Sequence, residues 1–186
     1  MNKSVGVLMK RTLVASLIIA APIFYWLQGQ APEPIAELEP QPTHQEWMHE
    51  LQSQLKQDPN QAELWFQLGH GYLNNQDFSS ALTCFDYVIR LSEQPSANQF
   101  AAKATSLYYV RKQIMTDEVS QLLEQALTLE PANVTALTLI ANDHFISFRY
   151  QQAVDTWTKL LDSHNPDLDR EAIIHSLNQA KSFIKG

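Results

Sequence analysis

Ala62-Glu63-Leu64-Trp65-Phe66-Gln67-Leu68-Gly69-His70-Gly71-Tyr72, followed after a short polar turn by Ala81-Leu82-Thr83-Cys84-Phe85, is the stretch that decides how this chain folds. With Ala62 as the first place of a unit, Trp65, Leu68, Gly69 and Tyr72 occupy places 4, 7, 8 and 11, and Ala81 and Phe85 occupy places 20 and 24. The spacing predicts two helices in contact. Gly69 and Ala81 are small where the helices would touch, and Trp65, Leu68, Tyr72 and Phe85 would fill the space between them. An ordinary amphipathic hairpin needs the apolar spacing but not the small residues.

This arrangement is the W-x2-L-G-x2-Y … A-x3-F pattern of a tetratricopeptide repeat, a helix-turn-helix unit of about 34 residues. Two weaker units come after it. In the second, Phe100 takes the aromatic place and Ala104 the small one, while Ala126 and Pro131 close its second helix. Lys103 and Leu107 depart from the pattern, and about three extra residues around 113–116, measured against the 34-residue norm, lengthen its first helix or its turn. The third starts at Val134, with Leu137, Ile140, Ala141, Ala153 and Trp157 at places 4, 7, 8, 20 and 24, and His144 where Tyr72 stands in the first. Stacked repeats need covers on their end faces. Ahead of the first unit, Thr43-His44-Gln45-Glu46 reads as a capping box opening a helix with Trp47, Leu51 and Leu55 on one face, a half-repeat. Behind the third, residues 169–184 predict a capping helix with the stripe Ile173, Leu177, Ala180 and Ile184, started near Asn165-Pro166. The expected fold is all-α: a short right-handed tetratricopeptide superhelix of about three repeats over residues 44–186.

Working outward, residues 1–28 read as a membrane anchor or signal segment. Residues 13–27 are apolar apart from Ser16, and Lys10-Arg11 precede them. That length lies between a signal-peptide core of about 7–15 residues and a spanning helix of about 17–25. Phe24-Tyr25-Trp26 suits the membrane interface, and proline follows both small-residue cleavage candidates, so the anchor reading leads. Basic residues on the N-terminal side leave that end in the cytoplasm and place the body across the membrane, in a Gram-negative cell the periplasm. Residues 29–43, with Pro32, Pro34, Pro40 and Pro42 among acidic side chains, form an extended linker. Lys3, Lys10 and Arg11 belong to the first 27 residues, which contain no acid, so the remainder sets 10 basic residues against 20 acidic ones. Such a body does not seek nucleic acid.

First helices line the concave face of such a stack, and places 2, 5, 9, 12 and 13 of each unit point into it. The first unit offers Phe66, His70 and Asn74, the second Thr105 and Tyr108, and the third Asn142 and Phe145. Phe66, Tyr108 and Phe145 suit apolar side chains of a bound peptide; Asn74, Thr105 and Asn142 suit its main chain. The plainer reading is that these are the polar and half-buried residues of any exposed helix face.

Chemistry has little foothold. Cys84 is the one cysteine, so there is no intrachain disulfide and no Cys-x-x-Cys-His for covalent haem; inside a helix it reads as a small core residue. The six histidines form no i, i+4 pair, and Asp162, Asp167 and Asp169 lack a calcium-loop pattern, so no metal or cofactor is expected. No G-x-S-x-G motif or phosphate loop occurs, and no catalytic residue is assigned.

Several stretches resemble one family: Ala104-Thr105-Ser106-Leu107-Tyr108-Tyr109, Met115-Thr116, Thr135-Ala136-Leu137, Leu139-Ile140-Ala141-Asn142-Asp143 and Asn178-Gln179-Ala180-Lys181. They are similar to the NrfG proteins, tetratricopeptide subunits of the NrfEFG haem lyase for cytochrome c nitrite reductase, and to the C-terminal part of the CcmH (CycH) proteins. The resemblance covers about residues 46–183 and includes the anchor-plus-linker plan. It implies a non-catalytic adaptor whose groove holds the C-terminal segment of an apocytochrome c, such as apo-nitrite reductase, while other haem lyase subunits attach haem. It further implies an inner-membrane anchor and a periplasmic body. Two other readings stand beside it: a general cytochrome c maturation subunit, and a periplasmic scaffold unrelated to cytochromes.

Overall fold

The computed structural model describes residues 42–166 and 168–184. The anchor or signal segment 1–28, residues 29–41 of the linker and Asp167 lie outside them. The described residues form eight helices and no strand: α1 (His44–Gln57), α2 (Ala62–Asn74), α3 (Phe78–Leu91), α4 (Ala97–Val110), α5 (Asp117–Leu129), α6 (Val134–Ile146), α7 (Tyr150–Asp162) and α8 (Arg170–Ile184). None is long and apolar enough to cross a membrane.

Most helix starts are set by a polar side chain that satisfies free backbone N–H groups. Thr43 and Glu46 make the expected reciprocal capping box on α1, and Ser96 with Gln99 makes a second on α4. Asp77, Thr116, Asn133 and Asp169 cap α3, α5, α6 and α8 through single side-chain bonds. The α8 start is thus set by Asp169, not by Asn165-Pro166.

Within each unit the first helix ends in the same way. The Gln76 N–H bonds the Leu73 carbonyl and the Asp77 N–H the Tyr72 carbonyl; Lys112 and Gln113 repeat this on Tyr109 and Tyr108, and Phe148 and Arg149 on Phe145 and His144. This is the Schellman end, which requires a left-handed residue. Gln76, Lys112 and Phe148 supply it at φ 59, 58 and 60°. In the first unit Asp77 closes α2 and caps α3 at once. In the second, Gln113 is followed by Ile114, Met115 and the cap Thr116, so the three extra residues lengthen the turn and leave α4 and α5 at 14 and 13 residues.

α2 packs along α3, α4 along α5 and α6 along α7, and α1 and α8 cover the two ends. The reason for the glycine at place 8 is visible in distances: a Cβ on Gly69 would lie 2.7 Å from Phe85 Cε1 and 2.8 Å from its Cζ. Phe85 and Ala81 are fully buried, so neither ring nor backbone can yield. Gly71 plays a similar part against α1, its missing Cβ lying 3.1 Å from Met48 Cγ and from a Trp47 ring carbon. Met48, more than Trp47, therefore joins Leu51 and Leu55 in the α1 core. Of the predicted α8 stripe, Ile173, Leu177 and Ala180 are buried and Ile184 is exposed.

The core runs as local clusters from α1 to α8, as expected where each unit is covered only by its neighbours. Lys103, which broke the pattern at place 7, reaches back to Asp86 of the preceding unit with Nζ 2.8 Å from the carboxylate. Cys84 is buried, and desolvation, helped by Asp77, pushes its thiol up to about 12, away from the reactive thiolate.

Gly69→Ala gains about 1 kcal/mol of helix propensity but overpacks the α2–α3 contact at a cost of about 1–3 kcal/mol. Urea denaturation is expected to show net destabilisation, reduced when Phe85→Leu makes room. A stabilised single mutant would contradict this account of the contact.

Candidate peptide-binding site

The residues singled out from sequence lie on α2, α4 and α6, and the structure treats them unequally. On α2, Phe66 is half-buried, its ring edge-on to His70 at 4.6 Å and to Phe85 at 5.8 Å. His70 keeps part of its surface in solvent, yet burial against these rings lowers its pKa below the ordinary 6.5, an effect Glu63 opposes. Asn74 is exposed at the end of α2. On α4, Thr105 is half-buried and donates to the Ala101 carbonyl of its own helix at 2.8 Å, so its hydroxyl proton is already engaged. On α6, Asn142 is exposed and Phe145 half-buried, with Tyr150, Trp157 and Phe183 rings within 6.0 Å.

Tyr108 corrects the sequence reading. It is 2% exposed and lies beneath the surface, so its ring is not offered to a peptide. α2 only touches α4, whereas α6 packs closely on α4 and covers place 12. The Tyr108 hydroxyl donates to Asp143 Oδ1 at 3.0 Å, and burial above all, then this bond, raises its pKa.

Asp143 is the centre of a cluster that single positions did not reveal. Its carboxylate is buried, and Arg149 donates to its other oxygen through Nη2. Arg149 Nε also donates to His144 Nδ1 at 2.9 Å. The ring is therefore the neutral Nε2–H tautomer. Burial first, then the Arg149 charge, lowers the His144 pKa, while Asp143 opposes this. His144 and Arg149 face a cleft of about 460 Å³ between α5 and α6, lined also by Met115, Leu123, Leu127 and Ile140. Among the described residues no group of His, Cys, Asp and Glu is placed to hold a metal.

A second polar link joins the units. The Asn133 side chain, buried at the start of α6, donates to Asn98 Oδ1 at 2.7 Å and to Glu130 Oε2 at 2.6 Å while capping its helix.

The profile of the family described as Cytochrome c-type biogenesis protein H TPR domain matches residues 37–171. The chain belongs to this family. It is 32% identical over 149 residues to the formate-dependent nitrite reductase complex subunit NrfG of Escherichia coli O157:H7, covering 80% of this chain and 75% of that one. It is 37% identical over 139 residues to the bifunctional subunit NrfFG of Haemophilus influenzae, covering 75% of this chain and 36% of that longer protein. Among solved structures, the APC/C hetero-tetramer Cut9-Hcn1 aligns with a TM-score of 0.65 at 14% identity, over 77% of this chain and 27% of that one, a likeness of fold alone. In this CcmH/CycH-family member, then, the third repeat carries a buried carboxylate bonded to an exposed arginine that also holds a half-buried histidine, and Tyr108 ties that carboxylate to the second repeat.

Tyr108→Phe removes a neutral donor from a buried carboxylate, with an expected cost of about 1.5–3 kcal/mol by thermal or urea denaturation. A change below about 0.5 kcal/mol would show that Asp143 does not depend on this hydroxyl.

Proposed function

We propose that the chain is a non-catalytic adaptor of a c-type cytochrome haem-attachment complex, whose tetratricopeptide body holds the C-terminal segment of an apocytochrome, foremost apo-nitrite reductase. Family membership carries the reading, because both the CcmH/CycH profile and the NrfG relatives belong to cytochrome c biogenesis or to nitrite reductase complexes by their descriptions. Aromatic and amide side chains on α2 and α6, namely Phe66, His70, Asn74, Asn142 and Phe145, support polypeptide binding. Thr105 belongs to the same face. Tyr108 lies beneath the surface and ties α4 to α6 through Asp143. Bond-making falls to other haem lyase subunits.

In this reading residues 1–28 anchor the chain in the inner membrane and residues 29–43 hold the body off the bilayer in the periplasm. A family profile that spans general cytochrome c maturation favours one second reading, in which the adaptor serves c-type cytochromes broadly.

The test is the affinity of C-terminal peptides of apo-nitrite reductase, set against scrambled versions and against the termini of other apocytochromes. The nitrite reductase peptide is expected to bind selectively, with Asn142→Ala or Phe145→Ala weakening it about tenfold or more. Equal binding of several cytochrome termini would favour the broader adaptor. Indifference to all of them would leave only a scaffold.

A further inference from the structure

The geometry points to the cleft between α5 and α6 as a site for the last residue of a bound polypeptide, with its α-carboxylate on Arg149 and His144 and its apolar side chain against Leu123, Leu127 and Ile140. The inference rests on the reading that the body binds polypeptide, and it adds a place distinct from the concave face. Ile140 and His144 each lie two residues from Asn142, about 200° around the helix, so the cleft opens on the opposite side of α6.

Three observations carry it. First, α3 and α4 pack along one another but α5 and α6 hardly touch, and the gap is about 460 Å³, inside the range of about 300–1,000 Å³ usual for ligand sites. Second, the Arg149 guanidinium is held in place. Asp143 takes Nη2 and His144 takes Nε, which leaves the Nη1 hydrogens without a partner among the described residues. A fixed, planar guanidinium is the usual partner of a carboxylate. Third, the Nδ1 of His144 accepts, so its Nε2 is a second donor on a side chain lining the same cleft.

A terminal residue meets this arrangement in a way an internal Asp or Glu cannot. It carries a carboxylate and an apolar side chain on one carbon, as the cleft sets donors beside aliphatic walls. Two carboxylates also line the cleft: Asp143 is buried and already bonded to Tyr108 and Arg149, whereas Glu124, on α5, has no hydrogen bond or ion pair among the described residues. Glu124 opposes a second acid beside the terminus and favours Lys or Arg just upstream. The polar side chains of Ser120 and Thr128 give main-chain groups partners that a fatty acid would not use.

Fluorescence anisotropy with the full-length chain tests this, using an N-terminally labelled decapeptide ending Lys-Leu as free acid or as amide, with oleate as competitor. The acid is expected to bind about tenfold or more tightly than the amide. Arg149→Gln and His144→Gln are expected to erase that difference, as is Thr128→Trp, which fills the cleft while every residue of the Asp143 cluster is kept. Asn142→Ala is expected to preserve it. Equal affinity for acid and amide, with both weakened by Asn142→Ala, would overturn the cleft site and leave the adaptor reading standing. Tight oleate binding without acid-selective peptide binding would overturn the polypeptide occupant. No binding of either peptide would overturn the site together with its premise.

Discussion

Everything in this body depends on how closely the two helices of a unit can approach. In the first unit the limit is Gly69 against the buried Phe85 ring, where a single added carbon would overlap at 2.7 Å. The other units keep the principle with different volumes: Ala104 shares a buried cluster with Leu123, and Ala141 shares one with Trp157. Close approach within a unit lets its apolar residues cover one another and leaves an outer face for the next unit. A stack of this kind has no single core to lose, and its stability is the sum of neighbouring contacts.

The same backbone device, repeated, delivers different chemistry. Gln76, Lys112 and Phe148 end the first helix of each unit in the left-handed conformation, at equal intervals along the chain. The residue after each one takes a different role. Asp77 caps the next helix, Gln113 begins a longer turn that brings Met115 to the cleft, and Arg149 turns back to Asp143 and His144. Released from capping, Arg149 is positioned by a buried carboxylate, itself tied to Tyr108 of the preceding unit. One junction thereby couples repeat packing to the orientation of a single guanidinium.

The helical hairpins were legible in the sequence because their determinants are local: small residues, aromatic places and caps act within one unit. The three surplus residues of the second unit were visible as a count. Their location in the turn was not, because it depends on a Schellman end that no glycine announces. Reading each unit alone also misplaced Tyr108, since place 12 has a different neighbour in every unit. Leu73 stays half-buried where α2 only touches α4, but α6 covers Tyr108. The Asp143 cluster was hidden for the same reason, as its members come from two units and 35 residues separate Tyr108 from Asp143. Lys103, an apparent fault in the pattern, became intelligible only once Asp86 stood across the interface.

As a proposed adaptor, this stack of hairpins holds another chain's C-terminal segment. Amide hydrogen exchange of the full-length protein, with and without that segment from apo-nitrite reductase, tests it most directly. Slower exchange is expected in α2, α4 and α6 on binding, with α1 unchanged. Exchange unaltered in every helix at saturating segment would contradict it.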